Sequence, residues 1–309
     1  LPGEDRIFWY LNAGDADSQT NFNSSESWGM ISYLARVNYV YDDRYLLTGT
    51  FRRDGSSKFA ERHQWGTFPS VAVGWRITNE EFMQETDPLN NLKLRASWGV
   101  IGNEKIAAGE AIPTVNSGFV SVFGPDQSLQ PAATVTDLAN PDLCWEETEQ
   151  LDIGLEIGLW EDQLTAEVDW YRRETNDILV QVPIPEIVGV VNPPVVNAAK
   201  VLNRGLDMSL TWRQSSGDFN YTLGINGSTV HNEVLSLGDR DEAILGGDVR
   251  GLGFVTRTEE GHPIGAFYGW KQEGIFQDQQ EINNSATRGG EQPGDIKIAD
   301  IKGMMTKAT

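Results

Sequence analysis

Apolar and polar residues alternate with a period of two along most of this chain, in blocks of about ten residues separated by turn formers, a pattern that predicts antiparallel strands. In the first block Ile31, Tyr33, Ala35, Val37, Tyr39 and Tyr41 share one face, and Ser32, Arg36 and Asn38 share the other. The return block, Tyr45 to Arg53, sets Tyr45, Leu47, Gly49 and Phe51 against Thr48, Thr50 and Arg52. A third sets Val71, Val73, Trp75 and Ile77 against Ser70, Ala72, Gly74 and Arg76, and a fourth sets Leu92, Leu94, Ala96 and Trp98 against Lys93, Arg95, Ser97 and Gly99. After a stretch rich in Gly, Pro and Ser the pattern resumes: Leu151 to Leu159 against Asp152, Gly154, Glu156 and Gly158, then Leu164, Ala166, Val168 and Trp170 against Thr165, Glu167, Asp169 and Tyr171. Two more blocks follow, Leu206 to Trp212 and Phe219 to Asn226.

Tight links at Asp42-Asp43, Glu161-Asp162 and Gln214 to Asp218 alternate with long ones near 54–65, 100–147, 174–203 and 231–263. A medium link from Thr78 to Asn91 falls on the short-turn side, with NEEFMQ (Asn79 to Gln84) fit for one helical turn. Short turns at one end and long loops at the other characterise outer-membrane barrels, whereas sandwiches carry moderate loops at both. The apolar faces also end in rings. Tyr41, Tyr45, Trp75, Trp212 and Phe219 or Tyr221 lie toward the short turns, and Tyr33, Phe51, Trp98 and Trp170 toward the long loops. Headgroup interfaces select such rings. From Tyr33 to Tyr41 is about 26 Å of extended chain, on the order of 20 Å of membrane once tilted. The expected fold class is therefore all-β: an antiparallel up-and-down transmembrane β-barrel in a Gram-negative cell outer membrane, represented by about eight to ten strands. The alternative is a secreted β-sandwich, a carbohydrate-binding or adhesin module, with the same rings buried against a second sheet.

Composition narrows the picture. No apolar run approaches the roughly 20 residues of a membrane-spanning helix, and no basic-then-apolar leader pattern is visible at the start, so the targeting segment of an exported protein is expected to lie outside these residues. With 24 basic against 45 acidic residues the net charge is -21, which argues against a nucleic-acid partner. The single cysteine, Cys144, allows no internal disulfide and is expected to be an inert thiol.

Several stretches carry a family likeness. YLARVNYVYDDRYLLTGTFRRDGSSKFA, Tyr33 to Ala60, with RRDGSSKF after a hairpin, resembles the barrel of SusC/RagA-type TonB-dependent outer-membrane transporters. The likeness continues in order through WGTFPSVAVGWRITNEEFM, LNNLKLRASWGVIGNE, ETEQLDIGLEIGLWEDQLTAEVDWYRRETNDIL, VLNRGLDMSLTW and EGHPIGAFYGWKQEGIFQDQQEI, covering about residues 30 to 300. QPGDIKIADIKG resembles a family stretch whose acidic continuation is here GMMTKAT. The resemblance implies uptake of a bulky nutrient such as a glycan or peptide, a lid lipoprotein of the SusD type, and energy coupling through TonB. It also implies a parent barrel of about 22 strands around a plug. Residues 1–309 are expected to be a partial barrel domain without the plug, its TonB-contacting segment or the closing strands.

Catalytic constellations are poor, and no enzyme is expected. His63, His231 and His262 are far apart without zinc-ligand spacing, and no nucleophile-elbow or phosphate-loop motif occurs. Glu146-Glu147 and Asp239/Asp241 read as solvated loop charge rather than glycosidase acids. Asp15/Asp17 and the stretch from Asp239 to Asp248 lack the spacing of a calcium loop. No metal or cofactor is expected.

Two features carry functional hypotheses. The polar strand faces supply Arg36, Arg52, Arg76, Lys93 and Arg95 first, then Asp152, Glu156, Glu167, Asp169 and Asp207. This is either inter-strand pairing that maintains a polar wall, or a basic-then-acidic lining that faces the lumen and orients a plug. The outer loops carry Trp65, Phe123, Trp145, Phe267, Tyr268 and Trp270, expected to stack on ligand or meet a lid, unless the loops pack on themselves. GAFYGW is also readable as a strand of its own.

Overall fold

The computed structural model of the protein describes residues 27–83, 86–111, 114–181, 194–214, 219–238, 243–251, 253–287, 289–300 and 306–307. Residues 215–218 of the expected turn, and Asp15, Asp17, Asp239 and Asp241, lie outside them. The chain runs β1 (Met30–Tyr41), β2 (Tyr45–Ser56), β3 (Trp65–Arg76), β4 (Leu89–Asn103), the hairpin β5 (Thr114–Phe123) and β6 (Ser128–Asp137), then β7 (Glu146–Leu159), β8 (Leu164–Gln181), β9 (Val195–Gln214) and β10 (Tyr221–Ser236). Shorter elements follow: β11 (Ile244–Val249), β12 (Gly253–Thr258), β13 (Ala266–Phe267), β14 (Gln272–Ile275), helix α1 (Gln279–Asn284), β15 (Ala286–Thr287), β16 (Ile296–Ile298) and β17 (Thr306–Lys307).

Eight strands form one antiparallel meander in the order β1-β2-β3-β4-β7-β8-β9-β10, with β5-β6 a separate hairpin inside one long connection. The eight alternating blocks are thus sequential neighbours, without Greek-key crossovers, and the sheet does not close on itself. Register carries the alternation across the wall. Tyr41, Tyr45, Trp75, Leu94, Leu155, Val168 and Met208 form one continuous cross-strand row. Arg36, Thr50, Ser70, Gly99, Gln150, Arg173, Asn203 and Asn232 form another, on the opposite face. A one-residue slip anywhere would exchange the two faces, so the pattern itself fixes the pairing.

The first short turn places Asp42 and Asp43 at φ of 50° each, and the second runs through Trp160, Glu161 and Asp162 at 54°, 56° and 62°. Asp accepts this left-handed region better than most residues because its short side chain bonds locally. Between β3 and β4 two 3-10 turns, Ile77–Asn79 and Glu81–Met83, occupy the link expected to hold one helical turn.

The long connections are shorter than the alternation implied, because the strands run on. β8 extends to Gln181, β9 starts at Val195, and β10 reaches Ser236. Two small cores sit at this end: Phe59, Phe68, Ile106, Ala111, Leu143 and Trp145, and Ala199, Val201, Val234 and Leu237. The central wall has no such core. Val37 is 69% exposed, Leu47 45%, Ile153 43% and Ile225 70%. No second sheet covers these residues among those described, so the sandwich alternative does not apply.

Among the described residues nothing covers the apolar face, and β1 and most of β10, apart from Val234, present open strand edges, a template for aggregation in water. Produced by itself without detergent, the chain is expected to sediment as aggregate. A monodisperse detergent-free monomer in analytical ultracentrifugation would contradict this architecture.

Candidate functional site

The polar face brings the basic and acidic groups together where β4 meets β7 and β8. Lys93 Nζ lies 3.0 Å from Glu156 Oε1, and Arg95 lies 2.7 Å from Asp169, 3.2 Å from Glu156 and 4.0 Å from Asp152. Arg95 and Asp169 are on strands two apart, and the residue between them in register is Gly154. A Cβ at Gly154 would stand 2.1 Å from Asp169 Oδ1 and 2.7 Å from Arg95 Nε, so the glycine is the opening through which this pair crosses β7. The remaining cations are arranged differently. Arg52 binds both oxygens of Asp54 through Nε, at 2.9 and 2.7 Å, and Arg76 pairs with Asp43 in the first short turn. Arg36 and Glu167 form no ion pair with any described residue.

The six aromatics expected to meet ligand or lid do not share a site; Phe123 ends β5 in the separate hairpin and is exposed. Trp65 is no loop residue: it opens β3, lies on the apolar face and stacks on Tyr33 at 5.9 Å and 17°, with the Arg53 guanidinium 5.1 Å from its ring. Trp145 is only 4% exposed, wedged against Phe59 at 5.3 Å and Phe68 at 5.4 Å, with its indole N–H donating to the Gln64 carbonyl at 3.1 Å. A ring buried as Trp145 is has no face for a ligand, whereas Trp65 stays 42% exposed and departs from expectation only in lying on a strand of the apolar face. Beside Trp145, the Cys144 backbone is zipped to Asn197 by bonds of 3.0 and 2.9 Å. Burial first, then Asp177 and Glu147, pushes its thiol up, which keeps it protonated and unreactive. Phe267, Tyr268 and Trp270 do stay on the surface, Phe267 at 97% exposure, and β13 takes in the start of GAFYGW. Arg257 sits 5.3 Å from the Tyr268 ring.

A cluster at the short-turn end was not anticipated. The Glu80 carboxylate, 8% exposed, accepts from Tyr45 Oη at 2.7 Å, Trp75 Nε1 at 2.9 Å and Arg44 Nη1 at 3.1 Å. One acid between the two 3-10 turns thus holds the polar tips of two belt aromatics. Beside it Tyr41 stacks on Tyr45 at 6.4 Å; farther along the same end Trp160 packs edge-on against Trp212 at 5.9 Å, and Phe219 meets Tyr221 at 5.7 Å.

The family model for the TonB dependent receptor-like β-barrel matches residues 5–287. This chain belongs to that family. TonB-dependent receptor P39 of Formosa agariphila is 37% identical over 278 residues, 88% of this chain and 25% of that protein. TonB-dependent receptor SusC of Bacteroides thetaiotaomicron is 33% identical over 79% of the chain and 25% of its own length. A structure of the RagAB peptide transporter superposes with a TM-score of 0.76 at 27% identity, covering 89% of this chain and 29% of that one. The chain therefore spans about a quarter of the length of these curated relatives. TonB-dependent receptors are receptors and transporters of the Gram-negative outer membrane rather than enzymes.

The Glu80 cluster lies at the short-turn end, the end that faces the periplasm in outer-membrane barrels. The Tyr45 hydroxyl first, then the Trp75 indole and Arg44, hold the Glu80 carboxyl below the usual carboxylate range despite its burial. A depressed folded pKa contributes stability that is complete above the usual glutamate value of about 4.3 and is lost as pH falls through the lower folded value. Thermal unfolding of the barrel should therefore shift downward with acid below that value, and Glu80→Gln should flatten this part of the pH profile. A second expectation concerns Gly154: Gly154→Val should separate Arg95 from Asp169 and cost roughly 1–3 kcal/mol in denaturant titration, as partly buried polar partners are left unpaired. An unchanged midpoint would count against the crossing pair.

Proposed function

We propose that this chain is a wall segment of an outer-membrane importer for a bulky nutrient, a glycan or peptide, worked through TonB and closed from outside by a SusD-type lipoprotein. The observation that supports this best is the joint likeness to SusC and to the RagAB transporter along an unbroken eight-strand wall. On this reading the apolar face meets outer-membrane lipid and the polar face lines the lumen, where charged groups stay wet. The plug and the closing strands then come from the rest of the protein.

The lumen assignment gives the charges distinct parts. Lys93, Arg95, Asp152, Glu156 and Asp169 stabilise the wall by pairing with one another. Arg36 and Glu167 are left for a plug or a passing solute. Arg52 and Arg76 are held by Asp54 and Asp43 and act chiefly within the barrel. Phe267, Tyr268 and Trp270 offer exposed rings to an external ligand or lid, while Trp145 serves packing and Trp65 stacks on Tyr33.

Deleting the gene that encodes this wall, followed by growth on single oligosaccharide or peptide sources, tests the import reading. Loss of growth on one source class, restored by the gene on a plasmid, is the expected result. Restoring it with Trp270→Ala should weaken uptake about tenfold if that ring is a binding hot spot. Unimpaired growth on every polymer source would refute nutrient import.

A further inference from the structure

We propose that Arg172 and Arg204 form a binding site for the phosphate of an outer-leaflet glycolipid, on the lipid-facing side of β8 and β9. The proposal rests on the membrane reading above. In register, Leu151, Arg172, Arg204 and His231 lie side by side on β7, β8, β9 and β10. They share the apolar face, one alternation step beyond the row of Ile153, Trp170, Leu206 and Thr229. Two guanidinium groups directly opposite each other on adjacent strands repel. In a chain of net charge -21 such a pair does not follow from composition.

The position fits a headgroup. Two residues past the Trp170 ring is about 7 Å along the strand, or about 5 Å along the membrane normal once tilted. The headgroup layer on each side of a bilayer is about 5–7 Å deep. β8 climbs from the short turn toward the long loops, so this layer belongs to the outer leaflet. Lipid there is a glycolipid with phosphates on its sugar core, and paired arginines are the side chains best shaped to hold a phosphate by two parallel hydrogen bonds.

Among the described residues no carboxylate pairs with Arg204: Glu149, in register with Glu174 on the same face, accepts instead from Trp98 Nε1 at 2.7 Å. Glu174, 8% exposed, binds Arg172 and also Lys200 Nζ at 2.5 Å, so one acid serves two cations. Glu233 lies 3.4 Å from His231. Arg204 is exposed and has no ion pair or hydrogen bond from its side chain among the described residues. Glu174 thus fixes Arg172 beside an arginine that is free to turn toward the same oxygen atoms.

The test uses the full-length receptor in nonionic detergent, titrated with bis-phosphorylated lipid A or its phosphate-free counterpart and read by native mass spectrometry. Wild type should favour the phosphorylated lipid by about tenfold or more, as two charge-assisted contacts require. Arg172→Gln with Arg204→Gln should abolish that preference and leave the phosphate-free lipid unchanged. Arg204→Gln alone keeps the Arg172–Glu174 pair and should remove most of the preference, so the test survives if the double variant misfolds. Inorganic phosphate at the same concentration should not compete. Equal wild-type affinity for both lipids, unaltered preference in the single variant, or competition by free phosphate would overturn the proposal. Quenching of Trp170 fluorescence by brominated acyl chains separates the two readings. Quenching without phosphate preference removes only this site; no quenching removes the membrane reading beneath it.

Discussion

In hydrocarbon, every backbone N–H and C=O must find its partner within the protein, because no water is there to take it. For a wall of strands this requires an unbroken ladder from one neighbour to the next. The eight-strand meander supplies it, and long stretches of register run without a slip from β1 to β10. Given that ladder, side chains have only two directions, one toward lipid and one toward water. Period-two alternation is the consequence, and so is the absence of a core in the central wall. On the proposed reading, apolar residues there are exposed because their partner is the membrane, not another part of the chain.

The two ends of the wall are finished by different chemistry. At the periplasmic end, aromatic rings need an apolar body in lipid and a bonded polar tip. Glu80 provides the bond for Tyr45 and Trp75 at once, drawing the link between β3 and β4 against the rim. At the long-loop end the apolar alternation stops and the rule relaxes. Val201 and Val234 turn inward to a small core, while Arg172 and Arg204 stand on the face that carried Trp170 and Leu206 one step earlier. On the polar face between, Arg95 reaches Asp169 only because Gly154 offers no side chain in its path.

Legibility followed this same division. Within the lipid band each residue answers to one constraint, so strands, faces and belts could be read from alternation alone. Beyond it both faces are wet or locally packed, and the alternation vanishes although the strand continues; the extensions of β8, β9 and β10 therefore read as loop. Trp65 and Trp145 were misplaced for that reason: each borders a turn-rich stretch, and nothing local distinguishes a ring at a strand start or in a buried wedge from one in an open loop. The Glu80 cluster joins residues up to 36 positions apart and has no local signature at all. The family likeness, by contrast, was carried by stretches such as RRDGSSKF and covers most of the wall.

The proposed role follows from having two incompatible faces on one ladder: on that reading the wall separates lipid from a polar interior. That separation can be measured directly by placing single spin labels along β8 from Leu164 to Arg173, in the full-length protein with Cys144 replaced by serine, reconstituted in bilayers. Accessibility to lipid-soluble oxygen should peak at Ala166, Val168 and Trp170, and accessibility to a water-soluble nickel reagent at Thr165, Glu167 and Asp169, in strict alternation. Low accessibility to both reagents at Ala166, Val168 and Trp170, as for a face buried against a second sheet, would contradict the account.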